Sequence, residues 1–253
     1  MDNRGGLPMK ALTFLIVMVL VLRPGSGRAG GSLELEAGWL RAGRVDVRIP
    51  GDGGTRFSLT DELNAEGTVY SRLRASWRSA PRHVWLLTLA PLDVTARGSL
   101  ERDTQYVDTL FPADAPLKGT YRFNNYRLSY RYRLWQSERF AADVGGTLFV
   151  RDAKVTLRSG DLEDAKSDLG LVPLLSLGLK WDLLPDLALV VDGDALAAPQ
   201  GRAFDTLLAL EYAWRERLRL GAGYRVLEGG ADNDAVYTFA LFHHLALRGA
   251  WHF

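Results

Sequence analysis

Four histidines are the first place to look for chemistry: His83, His243, His244 and His252. A histidine near a carboxylate can act as a general acid or base. His244 with Asp192 or Asp194 would make such a pair if the fold brought them together. His243 and His244 are adjacent, so on a strand they point to opposite faces and cannot share one site. No His-x-Ser pair, glycine-rich phosphate loop or metal-spaced histidine cluster occurs, so no cofactor and no metal site are expected. The chain has no cysteine, which excludes a disulfide framework, a thiolate metal site, a cysteine nucleophile and a lipidated cysteine.

The other chemically rich feature is charge in rows. Between Tyr126 and Leu134, Arg127, Arg131 and Arg133 alternate with tyrosines and leucines. On a helix these arginines would wind around the cylinder; on a strand they form one row behind an apolar one. Such rows need strands, so the question becomes what kind of sheet holds them.

Composition narrows the answer. The chain has 253 residues, with 31 basic against 30 acidic side chains, which argues against nucleic acid as a partner. At 47% hydrophobic and 24% charged it is not a disordered sequence. Its near-zero mean hydropathy excludes a bundle of transmembrane helices but not a membrane protein built of strands. Residues 1–29 read as a secretory signal peptide. Arg4 and Lys10 supply a positive start, residues 11–22 an apolar run, and Gly27 and Ala29 small residues for cleavage. Residues 30–253 are then the folded domain.

That domain alternates with a period of two. Strands are expected over 32–48, 69–77, 83–97, 126–134, 140–151, 171–181, 187–197, 204–214 and 218–227, followed by a terminal strand. Pro91 should kink or bulge the third. Tyr121 and Phe123 have the opposite parity to Tyr126–Leu134, so a bulge at Asn124-Asn125 is expected to restore register. Short connections fall near 79–82, 136–139, 184–186 and 215–217. Longer ones fall near 51–67, 98–118, 158–169, 198–203 and 228–234. Short turns at one end and long loops at the other suit an all-β fold, a closed antiparallel transmembrane β-barrel of about ten strands, with eight or twelve as alternatives.

The last residue is the sharpest signal. Phe253 closes an alternating strand in which Trp251, Gly249, Leu247 and Leu245 share its parity. This terminal pattern resembles the recognition signal of Gram-negative outer-membrane β-barrels, and the alternation resembles that superfamily along the whole mature chain. The resemblance implies an outer-membrane location with periplasmic turns and extracellular loops. It implies contact with outer-membrane lipid and lipopolysaccharide, and reading of Phe253, Trp251, Leu247 and Leu245 by the barrel-assembly machinery. Trp39, Trp77, Trp135, Trp181, Trp214 and Trp251 would form an interfacial girdle.

If apolar residues face lipid, the other parity lines the lumen. That set is Arg44, Arg48, Arg72, Arg74, Arg127, Arg131, Arg133, Arg151, Lys180, Arg219, Arg225 and Arg248, with His244. Its carboxylates are Glu34, Glu36, Asp46, Asp143, Asp192, Asp194, Asp205 and Glu211. In a narrow barrel these charges should pair across the interior. The first expectation is a structural or surface-interacting barrel with a salt-bridged lumen and no catalysis. The alternatives are a narrow, weakly anion-preferring pore and a lipid- or peptide-hydrolysing barrel. The loops carry acidic residues from Asp52 to Asp234, at spacings that match no calcium loop.

Overall fold

The computed structural model describes residues 30–199 and 201–253; the expected signal peptide, 1–29, lies outside them. The elements are β1 (Gly31–Arg48), β2 (Phe57–Ser58), β3 (Leu63–Ala65), β4 (Thr68–Ala80), β5 (His83–Ala90), β6 (Asp93–Gly98), β7 (Thr104–Tyr106), β8 (Thr109–Phe111), β9 (Leu117–Gln136), β10 (Phe140–Ser159), β11 (Leu162–Leu184), β12 (Leu187–Ala198), β13 (Gly201–Arg215), β14 (Leu218–Asp232) and β15 (Tyr237–His252). Antiparallel pairing runs from β1 through β4, β5, β9, β10, β11, β12, β13 and β14 to β15, which pairs back onto β1. This closes a barrel of ten strands and leaves no free edge through its lower part. The ends meet through reciprocal bonds between Gly31 and Phe253, 2.9 and 3.0 Å long.

β6 continues β5 along the same partner, β9. The expected irregularity at Pro91 is an interruption of the ladder with no inserted residue. Ala90 faces Asn125 and Asp93 faces Arg122, the same register on both sides. Proline has no N–H to donate, and Asn124 Oδ1 accepts from the Leu92 amide instead, at 3.4 Å.

Four turns at the end carrying both termini are short, as expected. The opposite, loop end departs from expectation in three places; one is 228–234, of which residues 228–232 belong to β14. Residues 158–169 are not a loop: β10 and β11 run on as a hairpin joined only by Gly160 and Asp161. Gly160 has a φ of 56°, the left-handed conformation that glycine tolerates. Residues 198–203 likewise lie mostly in β12 and β13. The acidic and polar residues there resemble loop chemistry, but a strand standing in water on its outer face carries them equally well.

The largest departure concerns which face is apolar. Outward residues form an apolar belt that on β9 runs from Tyr126 to Leu134 and on β10 from Ala142 to Val150. Nine residues per strand match the roughly 9–11 needed to cross a bilayer. The strands are much longer, 20 residues for both β9 and β10. Beyond the belt the pattern inverts. Asp152, Lys154, Asn124 and Arg122 point outward, while Tyr121, Phe123, Val155 and Leu157 are buried inside. Above the bilayer the outer wall faces water, so the apolar face must turn inward, as in a soluble barrel.

This inversion corrects two expectations. No bulge exists at Asn124-Asn125; the β9–β10 register runs unbroken there, and the one shift lies at Ala142/Asp143. Tyr121 and Phe123 therefore share the inward parity of Arg127. On β1 the register shifts between Ala42 and Arg44, around Gly43. Val45 and Val47 turn inward, and Arg44, Asp46 and Arg48 turn outward rather than into the lumen. There Arg44 meets Glu228, Asp46 meets Arg56, and the Arg48 guanidinium lies 5.2 Å from the Tyr237 ring centroid. Gly43 suits this position because a Cβ would stand 2.7 Å from His243 Nε2.

The two long loops fold in rather than out. Residues 49–67 and 99–116 contribute Phe57, Leu59, Leu63, Leu100, Tyr106 and Phe111, all at most 1% exposed. Phe57 and Tyr106 pack edge to face with centroids 5.8 Å apart. The Tyr106 hydroxyl donates to the Val155 carbonyl at 2.9 Å, and burial pushes its pKa above the ordinary value. Loop carboxylates tie this cap down. Glu62 accepts from the Ser58 amide, Asp103 from the Ala113 amide, and Asp164 from the Asp108 amide and the Thr109 hydroxyl. Three of the acidic residues at the loop end, Glu62, Asp103 and Asp164, thus serve as internal acceptors.

Candidate functional site

Below the apolar layer, inward side chains meet in one charged network. Asp205 on β13 forms ion pairs with three arginines: Arg72 of β4 at 2.9 Å, Arg127 of β9 at 2.7 Å and Arg225 of β14 at 2.5 Å. Asp192 on β12 accepts from Arg74 at 2.7 Å and Arg131 at 2.6 Å. β4 and β12 lie on opposite sides of the ring, so the Arg74–Asp192 pair spans the barrel.

Asp194 takes Arg127 at 2.8 Å, together with the hydroxyls of Thr147 at 2.8 Å and Ser176 at 2.6 Å. Glu36 receives a two-pronged contact from Arg225, with both bonds 2.8 Å, and the Tyr70 hydroxyl at 3.0 Å. Two parallel N–H donors onto one carboxylate are the strong geometry for arginine.

The strands explain why these residues meet. Inward positions recur every second residue, so Arg72 and Arg74, Arg127 and Arg131, and Asp192 and Asp194 stack on one face of their strands. Gly178 on β11 leaves the space that Arg131 fills, since a Cβ there would come within 2.7 Å of Arg131 Nη1. Arg127 also lies 4.8 Å from the Phe149 ring centroid, where the charged layer meets the aromatic one.

Other candidates sit around this centre. Arg248 joins its turn-end side through Glu34, with Glu36 and Glu211 slightly farther off. Arg219 pairs with Glu211 at 3.1 Å. Arg133 pairs with Asp143. Lys180 pairs with Asp182, two residues along its own strand, at 2.6 Å. These lie beside or near a hollow of about 510 Å³ at the turn end, lined by Lys180, Asp182, Glu211 and Arg219 among others. Arg151 stands apart in the loop half, bound to Asp168.

His244 faces inward but pairs with no carboxylate among the described residues. Its ring packs edge-on against Tyr70, with centroids 4.6 Å apart, and Nδ1 lies 3.4 Å from the Arg225 carbonyl. The conceivable His244–Asp192 or His244–Asp194 pair is not formed, because arginines and hydroxyls occupy both carboxylates. Sequence reasoning did not single out Tyr70, Thr147 and Ser176 as members of the network. Their shared parity with the arginines was the available signal. Leu245, Leu247, Trp251 and Phe253 all face outward and are exposed. Trp135, Trp181, Trp214 and Trp251 lie at the turn end. Trp77 stacks on Trp85 near that end at 6.2 Å, whereas Trp39 lies against Gly67 on the loop side.

Neither protein-family models nor curated proteins match this chain in sequence. Solved structures do match in shape. The outer membrane protease OmpT from Escherichia coli superposes with a TM-score of 0.57 at 8% identity, covering 88% of this chain and 97% of that one. An outer-membrane channel from Pseudomonas putida F1 gives 0.42 at 10% identity, covering 92% and 100%. Ail, the attachment invasion locus protein of Yersinia pestis, gives 0.39 at 11% identity, covering 88% and 99%. The fold is that of an outer-membrane β-barrel. At such identities the likeness concerns fold alone.

Proposed function

We propose that this chain is an integral outer-membrane barrel with a closed lumen, whose loop end serves surface interaction and which carries out no catalytic step. The observation that carries this reading is the stacking of two barriers. The Arg–Asp–Glu network spans the interior, and the apolar cap of Phe57, Leu59, Leu63, Tyr106 and Phe111 lies above it. Barrels of eight strands are filled by their side chains and ten leave only slightly more room, which large paired arginines take up here.

The histidines support a non-catalytic role. His83 bonds the Tyr130 hydroxyl at 2.7 Å and His243 the Tyr224 hydroxyl at 2.6 Å, and no histidine–carboxylate ion pair occurs among the described residues. On this reading the chain is exported by residues 1–29 and its terminal strand is recognised by the assembly machinery. Its tryptophans and outward leucines contact membrane lipid and lipopolysaccharide. Planar-bilayer recording of refolded protein tests the closed lumen. Quiet membranes with no unitary current steps are expected; stable, uniform steps would favour the narrow pore instead.

A further inference from the structure

The barrel wall is not paired to the same height all the way round. β11 and β12 stop pairing at Leu175–Ala195, although β11 continues through residues 162–174 on β10 alone. Two residues beyond that last pair, the same register would set Pro173 opposite Ala197. Proline has no N–H for a ladder bond and is at home on an edge. A notch therefore opens in the wall between β11 and the β12–β13 hairpin.

The notch leads into a cavity of about 240 Å³ in the loop half of the barrel. Phe123, Phe149 and Val155 line it on one side, and Val172 and Leu196 flank it across the gap. Outside, the apolar belt rises at this point. Leu169 and Leu171 face outward on β11 at 74% and 63% exposure, higher than the belt reaches on β10, where Asp152 pairs with Leu169. The opening thus sits at the upper margin of the lipid-facing surface.

Charge at the rim is uneven. Arg202 is matched by Glu228 and Arg151 by Asp168. Lys166, on the inward face of β11 opposite Val155, also lines the cavity and forms no ion pair among the described residues. Arg151 Nε is buried with no hydrogen-bond partner. An apolar slot with a surplus cation at its mouth suits one chemistry, a hydrocarbon chain ending in an anion.

We propose that this notch is a binding site for a single alkyl chain with an anionic head, entering sideways at the bilayer margin. The chain lies against Phe123, Phe149 and Leu196, and the head stays at Lys166. The site does not depend on whether the lumen conducts, so its test is separate from bilayer recording.

The test uses the full barrel in lipid nanodiscs and a fatty acid carrying a diazirine in its chain. After illumination, adducts are expected on peptides containing Phe149, Val172 or Leu196, above the level on outward Leu208 or Leu247. Lys166→Glu should lower pocket labelling at least fivefold. Ala153→Trp, which fills the cavity, should do the same, with heat-modifiable gel mobility kept as the check on folding. A phospholipid bearing the same photoreactive chain distinguishes a bilayer lipid from a free fatty acid as the source, and pocket adducts from either support the site. Equal labelling by the matching uncharged alcohol, or labelling unchanged in the charge-reversed protein, would overturn the proposal.

Discussion

Asp205→Ala is expected to destabilise the barrel by about 3–5 kcal/mol, the range for removing one partner of a buried ion pair. The carboxylate forms ion pairs with Arg72, Arg127 and Arg225, and all four side chains are nearly inaccessible to solvent. Without it, Arg72 loses its one ion-pair partner among the described residues, while Arg127 keeps Asp194 and Arg225 keeps Glu36. The loss is large because Arg72 stays buried without a counter-charge and Arg127 and Arg225 each lose one, not because one hydrogen bond is strong. Urea titration of the protein in vesicles, followed by tryptophan fluorescence, reads the midpoint shift. Arg158→Ala is the contrast: its contact with Glu163 is 3.7 Å long, with both side chains more than half exposed, and should count for under about 1 kcal/mol. Similar shifts for both variants would remove the network from its structural role.

Phe111→Ala is expected to cost about 3–5 kcal/mol of the loop cap's local stability, the usual range for deleting a buried phenylalanine. The effect should be confined to the cap. Phe111 belongs to the small β7–β8 sheet, which is separate from the barrel ladder. Limited trypsin digestion should cut the variant at Arg56 or Arg102 in the folded state, while the barrel keeps its heat-modifiable mobility. Local opening of this kind needs only the free energy holding the cap, not that of the whole barrel. Cleavage no faster than in the unaltered protein would mean that the loops are not held by this apolar cluster.

The ten strands and their order were legible because alternation is a local property that survives without tertiary information. The strand at Tyr126–Leu134 and the terminal strand ending at Phe253 were read with the right faces. The inward parity of Arg72, Arg74, Arg127, Arg131, Asp192, Asp194, Arg225 and Arg248 was also visible, since all lie within the membrane-spanning part, where lipid fixes which face is apolar. What alternation could not supply is the height at which lipid ends. Treating every apolar face as outward misplaces Tyr121 and Phe123 above that height, and the register shift around Gly43, which alternation does not reveal, misplaces Val45 and Val47 together with Arg44, Asp46 and Arg48. The bulge inferred at Asn124-Asn125 was an artefact of the same assumption: the environment changed sides and the backbone did not. Partner choice within the network was equally hidden, because which arginine meets Asp205 depends on strands up to 133 residues apart.

The change of sides at Gly43 is therefore the feature on which the account most depends, and the absence of native cysteine makes it directly measurable. Single cysteines placed at 44, 45, 47 and 48 in the folded, membrane-inserted protein can be titrated with a water-soluble maleimide. Labelling at 44 and 48 with protection at 45 and 47 is the predicted pattern, an apolar core inside polar walls above the bilayer. Labelling at 45 and 47 with protection at 44 and 48 would contradict it, and would restore a barrel with a polar lumen along its whole length.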